Sequence, residues 1–152
     1  MKIGFAFAVS HDNQFEARHF GDADRYMIYH LVDGKVTLSS EELNRFKTMD
    51  EEQEHGSRKK GNAIIEHLKS KQVKVLVSKQ FGKNIRMVNQ HFVPVKISSE
   101  SPEEVISILN ENLHWIQDEL DNSSDGYKLF TINSGILKTP IARQQSRNEE
   151  SI

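Results

Sequence analysis

No cysteine occurs among the 152 residues, which removes disulfides, thiolate nucleophiles and cysteine-ligated zinc or iron-sulfur sites from what this chain can build alone. Any metal must be held by histidine, carboxylate or a partner. Neither sign of charge dominates: 20 Lys and Arg stand against 22 Asp and Glu, a formal net charge of -2. That balance argues against a strong, sequence-independent hold on nucleic acid or on an anionic membrane. The apolar run within "MKIGFAFAVSHDN" is too short to span a bilayer and lacks a small-residue cleavage site. A soluble, cytoplasmic, single-domain protein without nucleic-acid or membrane partners is expected, long enough to bury a core without a covalent or metal staple.

Catalytic signatures are missing as well. The chain has no Gly-x-Ser-x-Gly turn and no Gly-x-x-x-x-Gly-Lys phosphate cradle. Asp12, Asp22 and Asp24 are carboxylates near the amino terminus, but two-metal hydrolysis needs carboxylates projecting from central strands onto one site. The first strand offers only Lys2 and small or apolar side chains. A non-catalytic protein is expected.

What the chain does contain is an alternation of strand and helix signals. In "KIGFAFAV", Ile3, Phe5, Phe7 and Val9 alternate with Gly4, Ala6 and Ala8, so both faces are apolar and one is closely approached, the pattern of a central strand. "YMIYHLV" and "KVTLSS" are joined by Asp33-Gly34, both tolerant of positive φ, which predicts a tight antiparallel hairpin. The polar run "NRFKTMDEEQEHGSRKKGN" has no apolar period and its first part reads as a mobile loop, with Arg58, Lys59 and Lys60 as a solvated face. Ile64, Ile65 and Leu68 mark the inner stripe of a helix ending near Ser70. "VKVLV" is a buried strand, Gly82 opens a helical turn, and "FVPVKI" is a strand whose Pro94 points to a sheet edge.

Ser101, Pro102 and Glu104 form a helix start with a capping box, and Val105, Leu109, Leu113, Ile116 and Leu120 continue as one core stripe. The order β-β-β-α-β-α-β-α predicts an α/β fold with a mixed five-stranded sheet and helices packed on it. Residues 1–121 form the folded domain. Residues 122–152 are an extension in which "YKLFTI" adds a short strand and "PIARQQSRNEESI" is a flexible tail.

With the first strand central, the second and third antiparallel on one side and the fourth and fifth parallel on the other, right-handed crossovers bring four loops to one end. Those loops hold His11, His19, His55 and the segment from Ser78 to Gly82. The first and fourth strands flank the point where connections diverge, which is where ligands bind in open α/β sheets.

"HFGDADRYMIYHL" after "AFAVSHDNQFEAR", then "EHGSRKKGNAIIEHL", then "VKVLVSKQFGKNIRMV" resemble the dinitrogenase iron-molybdenum cofactor biosynthesis family over residues 1 to about 117. The resemblance implies a ribonuclease H-like fold and a protein that binds or carries iron-molybdenum cofactor or a related iron-sulfur cluster. It carries over most specifically onto His19, Phe20 and Gly21, and onto Gly82 between strand and helix. Ser78 and Gly82 join the His-Phe-Gly triplet as candidate cofactor-binding residues, and His19, His11 and His55 are the candidate metal ligands.

Each feature also has a structural reading. His19 is equally able to hydrogen-bond the backbone and order the turn, with Phe20 filling the core and Gly21 taking a conformation other residues resist. His11 and His55 serve as polar loop residues on that reading, and His30 and His67 are structural. Two functions follow: a carrier whose His19, with His11 or His55, contacts a metal or metallocluster, or an interaction or regulatory module that kept the fold, lost the cargo and binds a partner protein.

Overall fold

The computed structural model describes residues 2–48, 56–82, 85–122 and 126–141. Strands β1 (Gly4–Val9), β2 (Arg25–Val32), β3 (Lys35–Leu43), β4 (Val73–Ser78), β5 (Val93–Ile97), β6 (Leu129–Ile132) and β7 (Ile136–Thr139) form one mixed sheet in the order β3-β2-β1-β4-β5-β6-β7. The expected neighbours of the central strand are in place: β2 and β3 antiparallel on one side, β4 and β5 parallel on the other. Asp33 and Gly34, at φ 52° and 79°, turn the β2–β3 hairpin as their tolerance of positive φ predicts.

The sheet has seven strands where five were expected. β6 pairs parallel with β5, and β7 folds back antiparallel on β6 across Asn133-Ser134-Gly135. β6 is the short strand expected in "YKLFTI"; β7, four residues long, carries too little alternation to stand out, and both hold together because β5 offers an open edge with apolar neighbours. Pro94 is therefore not at the sheet edge. β6 begins pairing at Val95, so the proline sits where β5 has β4 alone on its flank.

Helices α1 (Gly56–Ser70) and α2 (Ile85–Asn89) cover one face, and α3 (Pro102–Glu111) and α4 (Leu113–Asn122) the other. Phe5, Phe7 and Val9 point into the layer shared with Val105, Leu109 and Ile116. Ala6 and Ala8 point the other way, and their small side chains let Phe20, Tyr26 and Ile64 pack close to β1. The capping box of α3 is complete: Glu104 donates its backbone N–H to Ser101 Oγ at 3.2 Å, and Ser101 donates its own to Glu104 Oε1 at 2.9 Å. The core stripe holds, but the helix breaks in two at Asn112, whose side-chain amide donates to the Ile108 carbonyl at 2.8 Å while its backbone leaves the helical region.

The helix whose stripe Ile64, Ile65 and Leu68 mark begins at Gly56, within that polar run; residues 49–55, in the part expected to be a loop, lie outside the described residues. Lys60 is not solvated: it is 3% exposed and occupies the same stripe as Ile64 and Leu68. Of the expected tail, residues 142–152 are likewise outside the described residues. Among the described residues no helix is long and apolar enough to cross a membrane.

Candidate functional site

At the carboxyl ends of β1 and β4 the chain makes a single 3-10 turn, Phe20–Asp22, introduced by His19. Phe20 is fully buried, its ring stacked between Tyr26 (centroids 4.8 Å apart) and Phe81 (6.0 Å). The backbone of the turn is held from several directions. The Phe20 N–H donates to the Gln80 carbonyl at 3.0 Å, and His19 pairs with Gln80 in a parallel bridge. The Tyr26 hydroxyl donates to the Phe20 carbonyl at 2.9 Å; burial first, and the charge of Asp22 second, push this phenol well above its usual range, which keeps the proton on it. Asn44 Nδ2 donates to both the Gly21 and Ala23 carbonyls at 2.9 Å. Lys60 Nζ reaches from α1 to Asp22 Oδ1 at 2.9 Å.

The His19 imidazole is the exception. It is half-buried, makes no capping bond to the turn, and has no hydrogen bond among the described residues. The reading in which His19 orders the turn through its side chain is not what the structure has; Tyr26, Asn44, Lys60 and Gln80 do that work. Gly21 is buried and does not have positive φ, so the turn does not draw on a glycine's conformational freedom there.

His11 sits at the same end of the sheet but belongs to a different group. Its backbone N–H donates to Asp24 Oδ2 at 2.9 Å, while its imidazole, 90% exposed, lies 3.6 Å from the same oxygen. Asp24 is also paired with Lys47 and lies 3.8 Å from Arg18, and the hydrogen bond from Lys47 leads the causes that hold its carboxyl below the usual range. His55 is outside the described residues. Among the described residues no three histidine or acidic side chains come together as a metal-binding group.

Ser78 is fully buried and its hydroxyl donates to the Gln80 carbonyl at 2.8 Å, shaping the loop after β4. The same loop borders an open cleft of about 390 Å³, in which Gly82 lies with Phe81 and Ile85. Two further histidines lie on β2 and α1. His30 lies between Ser39 Oγ (2.7 Å) and the Lys71 carbonyl (3.0 Å), and His67 is held below its usual pKa chiefly by burial. The residues that brace the turn were missed in the sequence; only the four-residue spacing of Lys60, Ile64 and Leu68 signalled that a lysine shares a buried stripe.

A family model described as dinitrogenase iron-molybdenum cofactor matches residues 1–112. That span takes in β1 to β5 and α1 to α3, hence the whole of the turn and the loop after β4. No curated protein matches the chain.

Proposed function

We propose a carrier function on one premise: the chain belongs to the dinitrogenase iron-molybdenum cofactor family. The chain holds a metallocluster as cargo where the carboxyl ends of β1 and β4 meet, and His19 supplies the protein's ligand. The observation that carries this reading is a half-exposed imidazole without a hydrogen-bond partner among the described residues, mounted on a backbone braced by Tyr26, Asn44, Lys60 and Gln80.

The donor set suits such cargo in a specific way. Without a thiolate, the chain lacks the ligand that ordinarily holds an iron-sulfur cluster, but a cluster that brings its own sulfides needs only an open iron position, and imidazole nitrogen is a competent donor there. One coordinate bond also leaves the cargo exchangeable, which a carrier requires. The role is binding and transfer in the cytoplasm, without a chemical step, on a ribonuclease H-like fold.

The test is anaerobic titration of wild type and His19→Ala with isolated iron-molybdenum cofactor, followed by absorbance and calorimetry, with circular dichroism as the check of fold. Saturable uptake by wild type, weakened about tenfold or more in the variant (~1.4 kcal/mol per tenfold), is expected. Equal uptake by both would remove His19 from the site. No uptake by either would overturn the carrier reading and favour an interaction module that binds a partner protein.

A further inference from the structure

The cleft beside the loop after β4 has a composition that the His19 turn does not explain. β5 lies inside the sheet with β4 and β6 on its flanks, and its other residues, Val93, Pro94, Val95 and Ile97, are buried. Lys96 breaks that pattern and is exposed on the face that α1 and α2 cover elsewhere. Its register partner on β4 is Ser78, so Lys96 stands next to the strand end from which Lys79 departs. Both lysines line the cleft, together with Phe81, Ile85, Leu129 and Gln80. Neither ammonium has an ion pair or hydrogen bond among the described residues, and none of the described residues that line the cleft is a carboxylate. His19 is not part of its lining.

Two unneutralised positive charges sharing one concave site repel each other, and the repulsion is relieved by an anion between them. The apolar walls made by Phe81, Ile85 and Leu129 would be covered by a ligand with an apolar body, and a volume of about 390 Å³ is in the range of small-molecule sites, roughly 300 to 1,000 Å³. We propose that this cleft is a second binding site, separate from the His19 position, for a small organic anion: a carboxylate, sulfonate or phosphate head between Lys79 and Lys96, with the apolar part against Phe81, Ile85 and Leu129.

The probe for this site is 1-anilinonaphthalene-8-sulfonate, read by fluorescence, beside its uncharged analogue N-phenyl-1-naphthylamine. One saturable site per chain is expected for the sulfonate, with affinity falling as salt rises. The double substitution Lys79→Gln with Lys96→Gln weakens it about tenfold or more, and Lys79→Arg with Lys96→Arg restores it, thermal melts showing that each variant is folded. His19→Ala leaves the probe's affinity unchanged, so this site and the cargo position stand or fall separately. Equal binding of the charged and uncharged probes, or wild-type affinity in the double glutamine variant, would overturn the proposal.

Discussion

Gly4 shows how one missing side chain sets the geometry of the central strand. A Cβ there would meet the Gln72 carbonyl oxygen at 2.5 Å and the His30 ring at 3.1 Å. The oxygen is backbone, in the turn that leads from α1 into β4, and the ring lies between Ser39 and the Lys71 carbonyl, so neither can swing aside. Gly4→Ala is expected to destabilise the protein by about 1 to 3 kcal/mol, the usual cost of overpacking. A thermal melt of the variant, several degrees lower than wild type, checks this; an unchanged melt would mean that β1 and β4 can slide apart freely. His19 is the opposite case, a side chain without a hydrogen bond among the described residues on a turn whose backbone is braced by Gln80, Tyr26 and Asn44.

The link between α1 and the turn after β1 rests on the Lys60–Asp22 pair. The two partners are unequal: Lys60 is 3% exposed and Asp22 30%. Removing the carboxylate takes one charged partner from a buried ammonium that keeps the Lys47 carbonyl at 3.4 Å, whereas removing the ammonium leaves a carboxylate that water can reach. Asp22→Ala is therefore expected to cost about 1 to 3 kcal/mol, the usual penalty when a buried polar group loses a partner. Lys60→Met, which keeps the volume of the stripe shared with Ile64 and Leu68, should cost under about 1.5 kcal/mol. Chemical denaturation of both variants reads the difference, and equal losses would show that the pair does not carry this asymmetry. On the proposed carrier function the same element contact matters to uptake, since it helps to hold the turn that carries His19.

For the molecule as a whole, the carboxy-terminal hairpin is held to the sheet by Glu100. This carboxylate accepts the Ser98 N–H at 3.1 Å and, from the β6–β7 turn, the Ser134 N–H at 2.9 Å. Burial pushes its pKa up, but backbone N–H bonds from Ser134, its own residue, Ser98 and Ser99 together outweigh burial and leave it below the ordinary 4.5. A carboxyl lowered in the folded state contributes stability that is fully present above its unfolded value and is lost as pH falls through the folded one. Melting temperature followed from pH 7 to pH 3 should hold until about 4.5 and then fall. Glu100→Gln should flatten that acid limb while lowering the melt at pH 7; a limb of unchanged depth would remove Glu100 from the acid response.

The features legible in the residues alone share one property: their physics is local. Alternation in Ile3 to Val9 made β1 a two-faced central strand, Asp33-Gly34 turned the hairpin because both accept positive φ, and Ser101 with Glu104 capped α3. From these the order of the first five strands followed, and with it the end of the sheet where His19, Ser78 and Gly82 lie. Lys60 and Asp22, Asn44 and the Gly21 carbonyl, and Gln80 and His19 are 38, 23 and 61 positions apart, and no local signal ties them. β6 and β7 are too short to hold shape without the edge of β5. Whether Lys96 is a solvated charge or one wall of a cleft depends on the register of β5 against β4. Only the tertiary structure decides these matters, because each is set by which distant groups the fold brings within contact distance.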